Sequence, residues 1–140
     1  MKASIVYRSR TGTTRRFAEE MGTYLGTLGV ETAVASIGDA DPAALPAADV
    51  VLLGCWTSGL MVVLQHPDEP WIQFAHAVPN LSGKKVVLFT TYKLLTGSMF
   101  GKMRHELAGR VGADTLDLKS RDGHLSDEHR KALAALVAKP

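Results

Sequence analysis

Residues 3–29, ASIVYRSRTGTTRRFAEEMGTYLGTLG, form the stretch that decides the fold. An apolar run, ASIVY at 3–7, leads through a turn rich in hydroxyl groups into an amphipathic segment. The apolar side chains of that segment recur at helical spacing, at Phe17, Met21, Leu25 and Leu28. Gly29 then follows as a stop signal. The stretch therefore predicts a buried strand followed by a helix that starts near Thr13.

Four further short segments have the composition of strands. They are VETAVAS (30–36), DVVLLGC (49–55), KKVVLFT (84–90) and DTLDL (114–118). The first, third and fourth of the five predicted strands are nearly unbroken apolar runs, as is typical of strands buried on both faces of a parallel sheet. Amphipathic segments alternate with these strands. The pattern predicts an α/β fold, a three-layer doubly wound sandwich with a five-stranded parallel sheet, over a single domain of residues 1–140.

Three of the intervening segments predict helices with defined inward faces. EPWIQFAHAV (69–78) would bury Trp71, Phe74 and Ala75, and GSMFGKMRHELAGRVG (97–112) places Met99, Met103 and Leu107 on one stripe. SDEHRKALAALVA (126–138) begins with Ser126 as N-cap. DADPAALPAA (39–48) is consistent with one short helical turn.

Composition and charge exclude several classes of function. The chain has 140 residues, of which 46% are apolar and 21% are charged, as in a globular protein. Its net charge of +2 comes from scattered basic residues, so we expect no nucleic-acid binding. No apolar run reaches the ~20 residues that cross a bilayer. The five histidines lack paired metal-ligand spacing, so we expect no metal site.

The cellular location is predicted from two features. The N-terminal MKASIVYRSR lacks a long apolar region and a cleavage site, so we expect no secretion. The lone cysteine, Cys55, cannot form an internal disulfide and fits a reducing compartment. We therefore expect a cytoplasmic protein, and we expect it to be a monomer.

The turn SRTGTT (9–14) has the composition of an anion site. Backbone amides of residues 10–14 would be free at a helix N-terminus, which favours negative charge. Hydroxyls at Ser9, Thr11 and Thr14 can donate to phosphate oxygens, and Gly12 allows the backbone to approach closely. The pattern is neither GxxxxGK[ST] nor GxGxxG, and it suits a terminal monophosphate. The alternative is that Thr11 or Thr13 only caps the helix.

The sequence resembles the flavodoxin family at three places. The family's phosphate loop reads [ST]-x-[ST]-G-x-[ST], and Ser9, Thr11, Gly12 and Thr14 match each specified position. DVVLLGCWTSG (49–59) is similar to the third strand and first flavin loop, and NLSGKKVVLFTTY (80–92) is similar to the fourth strand and the start of the second flavin loop. The resemblance implies bound FMN and a parallel sheet in strand order 2-1-3-4-5.

The resemblance also implies which residues contact the cofactor. The phosphate loop supplies Ser9, Arg10, Thr11, Gly12, Thr13 and Thr14. The first flavin loop supplies Cys55, Trp56, Thr57, Ser58 and Gly59, and the second supplies Thr91, Tyr92, Lys93 and Gly97. Trp56 and Tyr92 are the candidates that stack on the ring.

Two alternatives remain open at the first flavin loop. Trp56 could close the sheet edge as a core residue. Because the family often carries its first-loop aromatic a little later, near the glycine, Leu60 or Met61 could instead be the inner ring contact. Gly59 is the candidate for a peptide that rotates to offer its carbonyl to the reduced ring. Cys55 is expected to pack or to touch the flavin, because no second cysteine can form a redox pair with it.

The implied function is FMN-dependent transfer of single electrons between redox protein partners, a flavin or iron–sulfur reductase and an acceptor. Two alternatives are a flavodoxin-fold oxidoreductase that acts on a quinone or porphyrinogen, and a flavin-free binding module. Lys93 lies where the family usually carries acidic residues, so we expect a potential less negative than that of acidic flavodoxins. Met61 and Val62 suggest a docking surface at the ring edge.

Overall fold

A computed structural model describes residues 1–60, 63–112 and 114–139 of the chain. Its main sheet contains five strands: β1 (Lys2–Arg8), β2 (Glu31–Ser36), β3 (Val50–Trp56), β6 (Lys85–Thr91) and β7 (Leu116–Ser120). Two short strands, β4 (Ser58–Leu60) and β5 (Val63–His66), form a separate antiparallel pair. The helices are α1 (Thr13–Thr27), α2 (Glu69–Ala77), α3 (Met99–Glu106) and α4 (Asp127–Ala138), and a 3₁₀ helix spans Pro42–Ala47.

The five-stranded sheet is parallel throughout, in the order β2-β1-β3-β6-β7. Counted along the chain, this order is 2-1-3-4-5, so the predicted fold class and strand order are confirmed. The carboxyl ends of β1, β3 and β6 lie at adjacent positions on one edge of the sheet. In open parallel sheets this edge, at the point where strand order reverses, is where ligands bind.

The core lies on both faces of the sheet, because successive strand residues point to opposite sides. Ile5 and Leu52 pack with α1 and α4 on one face, whereas their neighbours Val6 and Leu53 pack with α2 and α3 on the other. All four of these side chains are almost fully buried. Helices on both faces complete the predicted three layers.

The predicted inward faces of the helices are confirmed except at Leu28, which follows the last residue of α1 and is exposed. The largest predicted side chains are buried: Phe17, Met21, Leu25, Trp71, Phe74, Met99, Met103 and Leu107. Ser126 caps α4 by accepting a hydrogen bond from the His129 backbone N–H. The predicted turn at 39–48 is the 3₁₀ helix. In the described part of the chain, no helix combines the length and the apolar character needed to cross a bilayer.

The β4–β5 pair is the one described element that the sequence did not predict. It occupies the connection between β3 and α2, within the apolar stretch that follows the first predicted flavin loop. Gln65 in β5 is buried and lies against Gly97, where an added Cβ would approach its Oε1 to 2.5 Å. The pair therefore brings the connection after β3 into contact with the loop after β6.

Candidate functional site at the carboxyl edge of the sheet

A cleft of about 640 Å³ opens at the carboxyl edge of β1, β3 and β6. Most of its lining comes from the loops that follow these three strands, with further residues from β5 and from the loop after β7. The lining residues are Arg10, Thr11, Thr13, Thr14, Trp56, Thr57, Ser58, Gln65, Thr91, Tyr92, Lys93, Leu94, Leu95 and Arg121. Ten of them are among the fifteen site residues predicted from the sequence.

The loop after β1 presents backbone donors to the cleft. Gly12 is the N-cap of α1 and has φ +97°, a left-handed conformation that glycine adopts at little cost. The N–H groups of Thr13 and Thr14 begin the helix and have no acceptor among the described residues. Two unpaired amides at a helix N-terminus, with the positive end of the helix dipole, favour an anion.

Two predicted phosphate-loop hydroxyls have partners within the protein. The Ser9 hydroxyl accepts hydrogen bonds from the Gly12 and Arg15 backbone N–H groups, at 3.1 and 3.3 Å, and so holds the loop in shape. The Thr14 hydroxyl is buried and bonded to the Thr91 hydroxyl at 2.6 Å. Ser9 and Gly12 are not among the residues that line the cleft, whereas Arg10, Thr11, Thr13 and Thr14 are.

Asp68 orients Trp56, another residue that lines the cleft. Its carboxylate accepts hydrogen bonds from the Trp56 indole Nε1 at 2.8 Å and from Arg8 Nε at 2.8 Å. It also caps α2 by accepting from the Trp71 backbone N–H. The Asp68 side chain is 12% exposed and that of Arg8 is 36% exposed, so this ion pair is partly shielded from water.

Sequence reasoning did not find Asp68. The stretch HPDEPW (66–71) has the form of a helix start, with an acid before a proline in the first turn, and Asp68 does act as that N-cap. Its second role depends on Arg8, 60 residues earlier, and on Trp56, 12 residues earlier. No local pattern signals contacts at that separation.

Cationic side chains lie against both predicted stacking residues. The Arg10 guanidinium is 5.1 Å from the centroid of the Trp56 ring. Lys119 and Arg121 lie 5.7 and 5.5 Å from the centroid of the Tyr92 ring. Trp56 and Tyr92 are half-buried, with part of each ring open to the cleft. The contacts of Lys119 and Arg121 with Tyr92 were not predicted.

Threonine hydroxyls and backbone groups join the ends of β3 and β6. The Thr57 hydroxyl is bonded to the Thr90 hydroxyl at 2.7 Å, and the Thr57 N–H donates to the Thr91 carbonyl at 2.9 Å. The Tyr92 N–H donates to the Ser120 carbonyl on β7. These bonds fix the spacing between Trp56 and Tyr92.

Cys55 does not face the cleft. Its side chain is fully buried and its thiol donates to Asp68 Oδ1 at 3.6 Å. Burial raises the pKa of the Cys55 thiol well above its ordinary value, so the group stays protonated and unreactive. The described residues contain no cluster of three or more His, Cys, Asp or Glu side chains that could hold a metal ion.

The remaining predicted positions differ in where they lie relative to the cleft. Ser58 lines the cleft, whereas Gly59 is defined by its place in β4. Gly97 has φ +50° and lies against Gln65, beside the cleft rather than in its lining. Met61 and Val62, suggested as a docking surface, lie outside the described residues.

This geometry is that of a doubly wound α/β protein whose cleft is lined by the N-terminus of α1 and by two aromatic rings. The family model for flavodoxin matches residues 5–136. The chain therefore belongs to the flavodoxin family, as the resemblance implied. Proteins of this family bind FMN.

Individual relatives agree with this placement. The flavodoxin of Megasphaera elsdenii is 34% identical over 88 residues, which are 63% of each chain, and that of Clostridium beijerinckii is 33% identical over 88 residues, 63% of this chain and 62% of that one. The chain thus matches somewhat less than two thirds of the length of these curated relatives.

Solved structures show the same fold. The two-electron reduced Megasphaera elsdenii flavodoxin has a TM-score of 0.72 and 23% identity, with 99% of each chain covered. Oxidised Flavodoxin 2 from Bacillus cereus has a TM-score of 0.72 and 21% identity, with 99% of this chain and 98% of that chain covered.

Proposed function

We propose that this chain binds FMN in the cleft and carries single electrons between redox proteins. The observation that carries the proposal is that one cleft combines unpaired amides at the N-terminus of α1 with the aromatic rings of Trp56 and Tyr92. FMN supplies the redox chemistry when it is bound, and the protein binds, orients and shields it. Membership of the flavodoxin family supports the same function.

The phosphate end of the cleft, residues 10–14, suits a phosphate dianion. The amides of Thr13 and Thr14 would donate to its oxygens, and the helix dipole of α1 would stabilise its charge. The Thr11 and Thr13 hydroxyls line the cleft and can add donors. The Ser9 hydroxyl accepts hydrogen bonds from two backbone N–H groups of the loop, so we propose that it holds the loop in shape. Its own proton remains available to donate to the ligand.

The ring end of the cleft, formed by Trp56, Tyr92, Leu94 and Leu95, suits a flat apolar tricycle. Trp56 and Tyr92 offer stacking surfaces whose spacing is fixed by the bonds between the ends of β3 and β6. Stacking contributes ~0.5–1.5 kcal/mol beyond the burial of area. A cleft of about 640 Å³ is also within the range that holds ligands of this size.

The protein's own residues set how the cofactor exchanges electrons. Leu94 and Leu95 reduce the access of water to the ring end, which strengthens electrostatic interactions there. Lys93 lines the cleft, and we propose that its charge raises the reduction potential above that of a cleft lined by carboxylates. Gly59 remains the proposed site at which a peptide turns toward the ring, since glycine adopts unusual dihedral angles at little cost.

We further propose that the protein acts as a cytoplasmic monomer and one domain, with a flavin or iron–sulfur reductase as electron donor. The lone, buried cysteine supports a reducing compartment. Both core clusters pack on the two faces of one sheet, which supports a single domain. Gel filtration with light scattering tests the monomeric state, and a second, larger species at working concentration would contradict it.

The decisive experiment compares FMN with riboflavin. The purified protein is titrated with each, and binding is followed by flavin fluorescence and by the visible absorption spectrum. Riboflavin keeps the ring and lacks the phosphate, so we expect FMN to bind at least about 100-fold more tightly, the equivalent of about 2.7 kcal/mol. Equal affinities would contradict a phosphate site at residues 10–14. A protein that stays colourless with added FMN would contradict the function as a whole.

The ring end is tested by replacing its aromatic residues. Trp56→Leu and Tyr92→Leu are expected to weaken FMN and riboflavin by similar factors, because both ligands carry the ring. Tyr24→Leu is the matched control, since Tyr24 packs on the α1 side of the core and does not line the cleft. Unchanged flavin affinity in both cleft variants would contradict stacking.

A further inference from the structure

Four exposed cations surround the mouth of the cleft, and we call them the basic rim: Arg10, Lys93, Lys119 and Arg121. Three line the cleft, and Lys119 lies over the ring of Tyr92 beside Arg121. None of the four forms an ion pair with any residue in the described part of the chain. Their charge is therefore available to an incoming molecule.

No carboxylate offsets this charge within the cleft. Its lining residues include no Asp or Glu among the described residues. Asp68, the acid that reaches Trp56, is neutralised by Arg8. Asp122 lies next to Arg121 in the chain, and its carboxylate accepts hydrogen bonds from the Ser120 hydroxyl and the His124 N–H. The mouth of the cleft is therefore strongly positive, although the whole chain carries a net charge of only +2.

Two leucines complete the surface. Leu94 and Leu95 are 50% and 49% exposed and follow Lys93 directly at the cleft. Large apolar side chains at half exposure, bordered by charged groups, are the composition of a protein contact with an apolar centre and a polar rim.

We propose that the redox partner of this chain is an acidic protein, which docks over the cleft with carboxylates around its electron-exchanging centre. The inference rests on the proposed function, because the rim surrounds the same cleft that would hold FMN. Unpaired cations of one sign attract a partner of opposite sign and accelerate encounter, and Leu94 and Leu95 then bury apolar surface at the contact. Because the cations surround the cleft mouth, a partner bound to them lies closest to the proposed cofactor.

The experiment uses one redox protein in two charge states. A lysine-rich cytochrome c and the same cytochrome with its lysines succinylated carry the same haem and opposite surface charge. Binding of the flavin-loaded protein to each is measured by biolayer interferometry, from about 10 mM to about 200 mM salt, since screening weakens exposed charge pairs over this range. We expect binding to the succinylated form that is lost at high salt, and much weaker binding to the native form.

Charge-reversal variants locate the surface. The rim variant Lys93→Glu/Lys119→Glu is compared with Lys2→Glu/Lys131→Glu, which has the same net charge and changes two lysines outside the cleft. We expect the rim variant to bind the succinylated cytochrome about tenfold or more weakly at low salt, and the control variant to change far less. The affinity of each variant for FMN is measured separately, so that a loss of cofactor is not mistaken for a loss of docking.

Electron transfer by stopped flow separates this proposal from the proposed function. Reduction of the two cytochromes at rates independent of their charge, or faster reduction of the native form, would overturn the acidic partner and leave the carrier function intact. A protein that reduces neither cytochrome at any salt concentration contradicts the carrier function, and the binding measurement still decides the docking. Charge-dependent binding to phosphatidylglycerol vesicles, without binding to the succinylated cytochrome, would overturn a protein partner.

Discussion

The two ends of the cleft are held by different kinds of contact. At the phosphate end, Gly12, the first amides of α1 and the Ser9 hydroxyl lie within a few residues of one another. At the ring end, the orientation of Trp56 depends on Asp68, which in turn is paired with Arg8, 60 residues away. One end is built from neighbouring backbone groups, and the other from side chains that meet only in the folded chain.

The difference teaches which changes each end tolerates. Most substitutions of side chains leave the backbone N–H donors in place. The phosphate end is therefore sensitive mainly to substitution of a glycine whose backbone conformation other residues adopt at a cost. At the ring end, the orientation of Trp56 depends on the Asp68 carboxylate, so this end is sensitive to substitution of Asp68. FMN and riboflavin can report on the two ends separately, because only FMN contacts the phosphate end under the proposed function.

The largest effect is expected from Asp68→Ala at the ring end. The change leaves the Trp56 N–H and the Arg8 guanidinium without their partner and removes the cap of α2. Loss of one member of a buried ion pair costs 3–5 kcal/mol, and because Arg8 is 36% exposed we expect about 2–3 kcal/mol here, measured by urea unfolding.

Flavin binding by the Asp68 variants completes this test. Asp68→Ala should weaken FMN and riboflavin equally, since it disturbs only the ring end. Asp68→Asn keeps one carbonyl oxygen, which can accept from the Trp56 N–H, but its amide nitrogen cannot also accept from the Trp71 N–H that caps α2. It should therefore retain more of the flavin affinity than Asp68→Ala. If Asp68→Ala altered FMN alone, the division of the cleft into two ends would be wrong.

Gly123→Ala should distort the phosphate end of the cleft and lower the free energy of unfolding by about 2 kcal/mol. Gly123 has φ +80°, and an added Cβ would lie 2.5 Å from the Thr13 carbonyl oxygen, so the start of α1 must move. We expect the ratio of FMN to riboflavin affinity to fall, as measured by fluorescence titration.

Gly97→Ala is the matched control for that substitution. It also has positive φ, at +50°, but the atom nearest its added Cβ is the Gln65 side-chain Oε1 and not a backbone atom of α1. We expect a cost of at least about 1 kcal/mol from the left-handed conformation, and no change in the affinity ratio. Similar ratios in the two variants would contradict a backbone-built phosphate end.

The hydrogen bond between Thr14 and Thr91 connects the two ends, and it gives a smaller effect. Thr14→Val leaves a buried Thr91 hydroxyl without its partner and should destabilise the fold by about 1 kcal/mol. The double variant Thr14→Val/Thr91→Val removes both hydroxyls and leaves neither unpaired. Its loss of unfolding free energy should therefore be smaller than the sum of the losses in the two single variants. Strict additivity in urea unfolding would show that the two threonines do not interact.

The smallest effect is a pH dependence next to the phosphate end. The Leu125 N–H donates to the Glu20 carboxylate and lowers its pKa below the ordinary value of 4.5. The folded pKa is therefore below the unfolded one, so the stabilisation is present above about pH 4.5 and is lost as the pH falls through the folded pKa.

Glu20→Gln tests that dependence, because the amide keeps an acceptor for the Leu125 N–H and does not titrate. We expect the stability of the variant to fall less steeply than that of the parent chain as the pH is lowered below about 4.5, when both are followed by thermal unfolding. Parallel profiles for the two proteins would assign the acid sensitivity to other carboxylates.

Much of the fold could be predicted because it depends on local pattern. Continuous apolar runs identify β1, β3 and β6, and the spacing of Phe17, Met21 and Leu25 identifies α1. The β4–β5 pair was missed because short strands that pair only with each other carry little periodicity. Its position depends on contact with the loop after β6, which includes Gly97.

The candidate site was predicted where its residues are adjacent in the chain. The pattern from Ser9 to Thr14 indicated a helix N-terminus, and the structure has one there. The role of Asp68 and the cations over Tyr92 could not be predicted, because each depends on a residue from another loop. The Ser9 hydroxyl was expected to donate to phosphate, and the sequence did not predict that it also accepts hydrogen bonds from the Gly12 and Arg15 backbone N–H groups.

By itself, the sequence determined the alternation of strands and helices, the glycine at the start of α1 and the presence of hydroxyls after β1. These follow from the periodicity of side chains and from backbone dihedral preferences, which act over a few residues. The tertiary structure alone decided that Arg8 and Asp68 orient Trp56, and that scattered lysines and arginines meet around one cleft. Electrostatic and hydrogen-bond contacts act over a few ångströms in space, so residues far apart in the chain make them only after the sheet has brought its strand ends together.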